Sequence, residues 1–363
     1  MISEKTKISV WLSEVLGPCS NKLRRLCECF GSFEEIFAAR ASDEVAKLLS
    51  AAELKRMRTE RVSDNDRIFE YCERSAVEIV SYEDPAYPRR LRESSVPPVV
   101  LYVTGDKNIL ESPAVAGVGS RHSTQYGRDT VRFLCEPLAA SGITLVSGLA
   151  AGTDTEVHKS ALKVGGKTIA VLGTGIDETY PKGHSEVRKL IEQNGAVVSE
   201  YPPFTKNAPY MFAVRNRIIS GLSLAVVIFE AAKRSGTMIT AGWALDDGRD
   251  VFAVPGSIFS DKSEGTNRLL KQGAIPALSA EDILDALGIA GASAGTVSQK
   301  KSERPRLRGS GKIIYDILVE GAQNLDTLVE NTGISSGELL SCLTLLELEG
   351  IVKALPGRRY EVV

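Results

Sequence analysis

The 363-residue sequence lacks the residue spacings that common metal sites and nucleophile sites require. Its three histidines stand in no metal-ligand spacing and its six cysteines form no C-x-x-C pair, so we expect no bound metal. It contains no Walker-type G-x-x-x-x-G-K-[ST] sequence and no nucleophile-elbow serine. These absences argue against metal-dependent, NTP-hydrolysing and serine-hydrolase chemistry, and we expect a protein without catalytic residues.

Long apolar runs are also missing. No uninterrupted stretch approaches the roughly 20 apolar residues of a membrane helix, and the start, MISEKTKISVWLSEV, has no apolar segment of signal-peptide type. The scattered cysteines suit reduced, mostly buried thiols. We therefore expect a cytoplasmic protein with no membrane partner.

An excess of charge of one sign is absent as well, because the formal net charge is −2. Bulk charge therefore neither supports nor excludes nucleic acid, and a surface for it would depend on local placement of Lys and Arg. The apolar share of 43% is ample for a sizeable core. The length predicts two or three domains.

Composition and periodicity divide the chain into four regions. Residues 1–75 alternate apolar and charged positions at helical spacing and predict a small helical domain of SAM or helix-hairpin-helix type. Residues 291–311, rich in Gly, Ala, Ser and charge, predict a flexible linker. Residues 312–363 predict three short helices and a β-hairpin, which together make a winged-helix domain.

Residues 76–290 predict a Rossmann-like domain. Short β-branched runs alternate with helical stretches, as strands buried on both faces do, and this alternation implies right-handed crossovers in a mainly parallel sheet. The predicted fold class is therefore α/β, with a helical domain before the sheet and a winged helix after it. The predicted strands are Val99–Val103, Ala114–Val118, Ile143–Ser147, Thr168–Leu172, Ala196–Glu200, Leu224–Phe229 and Asp250–Val254.

Two features of the C-terminal regions leave alternatives open. The linker holds a basic cluster that is either a solvated linker or a tether that attracts phosphate. The third helix of the winged helix carries carboxylates and no Lys or Arg over residues 337–347, so a protein contact is favoured over entry into a DNA groove. The basic cluster consists of Lys300, Lys301, Arg304, Arg306 and Arg308.

Loops bearing Gly or Ser follow the predicted strands, and each is expected to open a helix. Free N–H groups at a helix start bind anions, and glycine lets the backbone come close to them. Thr153 or Asp154 would cap the helix after the second such loop. Because parallel strands end at one edge, several such loops suit successive phosphates of a polymer. The loop residues are Gly119, Ser120, Gly148, Gly152, Thr153, Gly173, Gly175, Ser235, Gly236, Thr237, Gly265, Thr266 and Asn267.

Cations and one ring accompany these loops. Residues 212–217, FAVRNR, place Phe212 beside Arg215, Asn216 and Arg217. Bases of single strands stack on an aromatic ring or an Arg plane while cations hold the backbone. In isolation the hexapeptide is better explained by a core phenylalanine and salt-bridged arginines. Arg121 in the first loop and Lys182 before a later helix are further candidates for phosphate contacts.

A dinucleotide cofactor is the competing ligand. The first loop reads Gly117-Val-Gly119-Ser-Arg-His122, so histidine replaces the third glycine of G-x-G-x-x-G. The second strand ends in Ser147-Gly148, without the acidic residue that holds a ribose. We therefore expect no NAD, no FAD and no other cofactor.

Taken in order, these segments resemble the DNA-processing protein A (DprA, or Smf) family. The resemblance spans about residues 115–275, with small departures at Thr153, Val157 and Ala213 that remove no cation. The matching stretches are Gly119–Arg121 with Tyr126-Gly127, Ser147–Ala150 through His158, Ala170–Gly175 with Tyr180-Pro181, Ser199–Pro202, Arg215–Ser220, Glu230 with Ser235–Thr237, and Val254–Gly256 with Gly265–Asn267.

The resemblance implies a non-catalytic protein of natural transformation that binds and protects incoming single-stranded DNA and helps to load the RecA recombinase. It also implies a homodimer formed through the Rossmann-like domain. By motif, Arg121 and Lys182 would contact phosphates, Phe212 would stack on a base, and Arg215–Arg217 would shape the pocket. The glycine loops would supply backbone donors.

Two other functions remain as alternatives. A Rossmann-like enzyme could process a nucleotide with Glu200 or Glu230 as acid or base, close to Arg121 and the Ser235–Thr237 loop. A protein-interaction scaffold could rely mainly on the winged helix, with DNA binding incidental. Charge reversal at Arg121 distinguishes the DNA-binding hypothesis from the scaffold.

Overall fold

The computed structural model describes residues 2–289, 309–319, 321–348, 351–355 and 359–362. The chain divides into two compact units, Met1–Ala294 and Gly295–Val363. The predicted linker lies outside the described residues except for residues 309–311, and its basic cluster lies wholly outside them.

The first unit begins with six short helices. Serines start four of them: the Oγ of Ser3, Ser32, Ser42 and Ser50 each accepts a hydrogen bond from a backbone N–H in the first turn, which satisfies a donor that the helix leaves free. Their buried side chains share one core with the face of the sheet that carries Tyr102. The helices are α1 Glu4–Leu16, α2 Leu23–Phe30, α3 Phe33–Ala38, α4 Asp43–Leu48, α5 Ala51–Thr59 and α6 Asp66–Arg74.

A nine-stranded sheet forms the centre of the first unit, in the order β1-β2-β6-β5-β4-β3-β7-β8-β9. The β1–β2 and β2–β6 pairs are antiparallel and the other pairs are parallel. All seven predicted strands are present, with ends shifted by one or two residues at most, and β1 and β9 are additional. The strands are β1 Glu78–Ser81, β2 Val100–Gly105, β3 Ala114–Val118, β4 Thr144–Ser147, β5 Thr168–Val171, β6 Ala196–Ser199, β7 Ala225–Ile228, β8 Asp250–Ala253 and β9 Ile275–Pro276.

Helices cover both faces of this sheet. One apolar cluster packs α11, α12 and α13 on one face, and another packs α8, α9 and α14 on the other. The helices are α7 Arg89–Glu93, α8 Gln125–Ala140, α9 Thr153–Lys163, α10 Ser185–Asn194, α11 Pro209–Gly221, α12 Gly236–Asp246, α13 Glu264–Lys271 and α14 Ala280–Ala286. Since β3 lies between β4 and β7, the chain leaves it in one direction and returns on its other side, and such a switch point opens a crevice at the carboxyl ends of the strands.

The second unit has its own core, with Ile314, Leu328, Leu339 and Leu343 at its centre. Its helices are α15 Ser310–Leu318, α16 Leu325–Thr332 and α17 Ser336–Leu348. Its strands β10 Gln323–Asn324, β11 Val352–Leu355 and β12 Arg359–Val362 pair in the order β10-β12-β11. Three helices and a small antiparallel sheet together form the winged helix that the sequence predicts.

The predicted fold class is therefore confirmed: a mainly parallel α/β sheet, a helical N-terminal part and a C-terminal winged helix. Within the described ranges, no helix combines the length and the apolar character needed to cross a membrane.

Candidate nucleic-acid interface

A pocket of about 380 Å³ opens at the switch point, at the carboxyl ends of β3 and β7. Its walls are mainly the loops after β3 and β7, one side of α11 and the start of α12, with Ala150 and Asp154 after β4. The sequence-predicted residues that line it are Gly119, Ser120, Arg121, Phe212, Arg215, Asn216, Ser235, Gly236 and Thr237. The structure thus brings together segments that lie more than a hundred residues apart, as the edge of a parallel sheet requires.

Hydrogen bonds between loops hold the pocket wall together. The Thr237 hydroxyl donates to the carbonyl of Gly119 at 3.1 Å, and the Thr153 N–H donates to the carbonyl of Ser120 at 3.1 Å. Gly152 has φ +79° and packs so closely on Ser120 and Arg121 that a Cβ atom would collide with their carbonyl oxygens. The loops after β3, β4 and β7 are therefore one interlocked assembly.

A ring and a guanidinium group stand at the mouth of the pocket. The Arg121 guanidinium carbon lies 5.5 Å from the centroid of the Phe212 ring. The Tyr180 ring centroid is 5.3 Å from that of Phe212, and Tyr180 is about half exposed. Lys182 is exposed and lies two residues further on, outside the pocket lining. Such a combination of rings and cations can stack a base and hold its phosphate.

Arg215 has a different environment from Arg121, because it is almost fully buried. Its Nη1 donates to the carbonyl of Gly148 at 2.8 Å and to the carbonyl of Val171, and its Nε donates to the Asn216 Oδ1 at 3.1 Å. Burial lowers the pKa of Arg215 to about 10, opposed by the Asp154 carboxylate, so the side chain stays charged at neutral pH. Arg215 joins the ends of β4 and β5 to α11 and places a positive charge in the pocket wall.

The start of α12 is open to the pocket. Ser235 occupies the N-cap position of α12, but its side chain makes no capping hydrogen bond. A Cβ atom on Gly236 would meet nothing within 4 Å. The first N–H groups of α12 therefore face the pocket without a side-chain acceptor, which suits an anion.

The start of α8 is different, since a carboxylate of the protein already occupies it. Glu230 is 2% exposed, and its oxygens accept from the Thr124 N–H at 3.0 Å and the Thr124 hydroxyl at 2.6 Å. Thr124 itself caps the helix. The start of the helix that follows the first glycine loop therefore already has a hydrogen-bond acceptor from within the protein, the Glu230 carboxylate.

One pocket cation was not predicted from the sequence. Lys262, in the loop before α13, lines the pocket, and its Nζ donates to the Ser120 hydroxyl at 3.1 Å. Its immediate neighbours, Asp261 and Ser263, form no DNA-binding motif with it. The one signal in the sequence is that Lys262 lies shortly before the Gly265–Asn267 motif.

The structure corrects the prediction for Arg217. Arg217 is 2% exposed, forms an ion pair with Glu200 and does not line the pocket. An α-helix turns about 100° per residue, so Phe212, Arg215 and Asn216 share a face while Arg217 points to the opposite side. A direct contact between Arg217 and DNA does not fit this position.

The Gly265–Asn267 segment also differs from its prediction, because it lies within α13 and outside the pocket lining. Gly265 N–H donates to the carbonyl of Ala231 at 2.8 Å, Thr266 is 1% exposed, and the Asn267 side-chain amide bonds both backbone groups of Gly256. These residues fasten neighbouring loops to one another.

Three loop predictions need smaller corrections. Neither Thr153 nor Asp154 caps α9, whose N-cap position is Gly152. Gly148 is buried against the Arg215 guanidinium, so its backbone is not open to a ligand. The Gly173–Gly175 loop does not open a helix, since α10 begins only at Ser185.

In the described part of the chain, no three His, Cys, Asp or Glu side chains are grouped as a metal site would require.

Comparisons with known proteins give the same family from sequence and from structure. The family model described as DNA recombination-mediator protein A matches residues 78–288, and that of the DprA winged helix domain matches residues 303–358. Protein Smf of Escherichia coli K12 is 38% identical over 283 residues, covering 77% of this chain and 76% of its own. A putative DNA processing protein DprA of Mycobacterium tuberculosis is 32% identical over 372 residues, covering 99% and 95%.

Two solved structures are similar. The crystal structure of DprA from Streptococcus pneumoniae has a TM-score of 0.67 at 32% identity, covering 77% of this chain and 97% of its own. DNA processing protein A from Helicobacter pylori, whose structure concerns its single-stranded DNA binding mode, has a TM-score of 0.53 at 31% identity, covering 59% and 98%.

Proposed function

The chain belongs to the DNA recombination-mediator protein A (DprA/Smf) family, and from this premise we propose that it binds single-stranded DNA in the pocket at the switch point. In its cytoplasmic role it protects incoming DNA during natural transformation and helps to load the RecA recombinase. It acts as a homodimer formed through the Rossmann-like domain. The relative from Helicobacter pylori binds single-stranded DNA, and this supports single-stranded DNA as the ligand.

The observation that carries this proposal is the convergence of a ring, free cations and an open helix start in one pocket. Phe212 stacks on a base, with Arg121 beside it. Arg121, Lys182 and Lys262 contact phosphates, and the first N–H groups of α12 donate hydrogen bonds to the oxygens of another phosphate. Arg215 contributes charge from the wall and keeps the loops in place.

We propose no catalytic role and no cofactor for this pocket. Both oxygens of Glu230 are engaged by Thr124, so the carboxylate is held as a structural acceptor. Glu200 lies outside the pocket and pairs with Arg217. Both carboxylates that an enzyme mechanism would use are therefore engaged by other residues of the protein, although Glu230 lies in the pocket lining.

Charge reversal tests the DNA site. Arg121→Glu should weaken binding of a labelled oligothymidylate by about 10- to 100-fold, because a phosphate contact becomes a repulsion. Fluorescence anisotropy measures the Kd. The matched control is Lys167→Glu: Lys167 is exposed and immediately precedes β5, at the opposite edge of the sheet.

The salt dependence provides the second readout. With several phosphate contacts, log Kd should change steeply with log salt, and Arg121→Glu should reduce that slope by about one contact. Equal affinities for Arg121→Glu and Lys167→Glu, or a flat salt response of the wild type, would refute the DNA site and favour the scaffold hypothesis.

The partners are tested separately. Sedimentation equilibrium of the wild type should show a dimer, and a monomer at micromolar concentration would contradict the proposed assembly. The rate at which RecA forms filaments on single-stranded DNA should rise when the protein is added and should not rise with Arg121→Glu. An unchanged RecA rate with wild-type protein would contradict the mediator role.

A further inference from the structure

The loop between β8 and α13, residues 254–263, exposes two large apolar side chains. Ile258 is 84% exposed and Phe259 is 92% exposed. They are adjacent, and no other large hydrophobic side chain of the described residues is as exposed as Phe259. Adjacent apolar side chains as exposed as these are candidates for contact with a partner.

This loop is held firmly at both ends. The Tyr126 hydroxyl donates to the carbonyl of Pro255 at 2.6 Å, and Gly256 exchanges two hydrogen bonds with the Asn267 side chain at 3.2 and 3.0 Å. Further along, the carbonyl of Lys262 accepts from the Ala231 N–H at 2.8 Å. Its centre is a tight turn, in which the Ser260 N–H donates to the carbonyl of Ser257 at 3.0 Å. Phe259 is therefore presented on a fixed support.

The same loop forms part of the pocket wall. Lys262, three residues after Phe259, lines the pocket and donates to the Ser120 hydroxyl. The neighbouring loop after β7 adds the exposed cation Arg234. The apolar pair thus lies in the same loop as a cation of the pocket wall, and this loop is hydrogen-bonded through Lys262 to the loop that carries Arg234.

We propose that Phe259 is a second stacking platform, on which a base of the single strand rests as the strand leaves the pocket past Lys262, with Ile258 packing against its edge. This inference rests on the proposed function and extends the site beyond Arg121 and Phe212. An aromatic side chain beside a cation on one rigid support is the combination that binds single strands without regard to sequence. Every base has a flat face, so the platform accepts any nucleotide.

Substitution of Phe259 in the full-length protein tests the inference. Phe259→Ala should weaken binding of an oligothymidylate of about 20 nucleotides by about tenfold, the usual loss of one base stack. The slope of log Kd against log salt should not change, because no cation is removed. Phe133→Ala is the matched control, since Phe133 is also an exposed aromatic but lies in the middle of α8.

A second variant reports stacking directly. Phe259→Trp retains a stacking ring and should therefore bind more tightly than Phe259→Ala, and oligothymidylate should quench its added fluorescence relative to the wild type, whose two tryptophans provide the background. Both results together support the platform.

Three outcomes would overturn the inference. Wild-type affinity in Phe259→Ala would leave the pocket as the whole DNA site. Loss of assembly by Phe259→Ala in light scattering would make the loop a contact between copies of the chain. Failure of the wild type itself to bind oligothymidylate would refute the proposed function together with this inference.

Discussion

At the scale of single residues, the first unit encloses a histidine that the solvent does not reach. His158 is fully buried, and its Nδ1 lies 2.7 Å from the Thr168 hydroxyl. That hydroxyl donates to the carbonyl of Leu145, so it accepts from His158, and Nδ1 carries the proton of the neutral ring. The Nε2 atom is buried without a hydrogen-bond partner. A proton there would have no acceptor.

This environment predicts a pH dependence of stability. Burial, together with the charges of Arg215 and His184, lowers the pKa of His158 to about 3. The unfolded chain binds a proton near pH 6.5 and the folded chain does not, so unfolding takes up a proton. The free energy of unfolding should fall by about 1.4 kcal/mol per pH unit as pH drops below about 6.5.

Urea unfolding at several pH values measures this slope. His158→Gln cannot titrate and should lose this component, whereas His122→Gln, at an exposed position, should follow the wild-type curve. Parallel slopes for the wild type and His158→Gln between pH 7 and about 5 would contradict the assignment.

The site residues that could be predicted from the sequence are those that a local motif identifies. Arg121 follows a strand and a glycine, and Phe212 begins a hexapeptide rich in cations. Lys262 could not be found in this way, because its partner Ser120 lies 142 residues earlier. The same hexapeptide does not predict the position of Arg217, because the direction of its side chain depends on the register of α11, which tertiary packing sets.

At the scale of elements, the interlocked loops after β3, β4 and β7 give the pocket its shape. The strands themselves could be predicted because both of their faces are buried, which produces continuous apolar runs. Their order could not, since β3 pairs with β7 and β2 pairs with β6 through long-range contacts. The short β9 has two residues, one of them Pro276, and gives no sequence signal.

Gly152 is the residue that should be least replaceable in this assembly. Gly152→Ala should lower the free energy of unfolding by more than the ~1–2 kcal/mol that a positive φ costs an L-residue, because its Cβ would also collide with the carbonyls of Ser120 and Arg121. Displacement of that loop should also weaken DNA binding. Gly248→Ala is the control, with φ +66° and nothing within 4 Å of the added Cβ.

Urea unfolding and oligothymidylate titration of both variants separate the two costs. Gly248→Ala should lose only the conformational part and keep wild-type affinity. If Gly152→Ala matched Gly248→Ala in both measurements, the close packing of the loops would not be important for the site.

At the scale of the whole molecule, a net charge of −2 is compatible with DNA binding because the cations are concentrated by position. All residues that line the pocket belong to the first unit. In the second unit, the described part of α17 carries Glu338 and Glu347 and neither Lys nor Arg. Along its described length, α17 therefore offers no cation with which to enter a DNA groove.

This division predicts that the truncated chain 1–294 keeps the affinity of the full-length protein for oligothymidylate within about threefold at about 0.15 M salt.

A second truncation, 1–311, retains the basic cluster from Lys300 to Arg308. Tighter binding by 1–311 than by 1–294, with a steeper salt dependence, would show that the cluster attracts phosphate, and equal binding would identify it as a solvated linker. A loss of more than about tenfold in both truncations would move the DNA site to the second unit, because only residues 312–363 are missing from both.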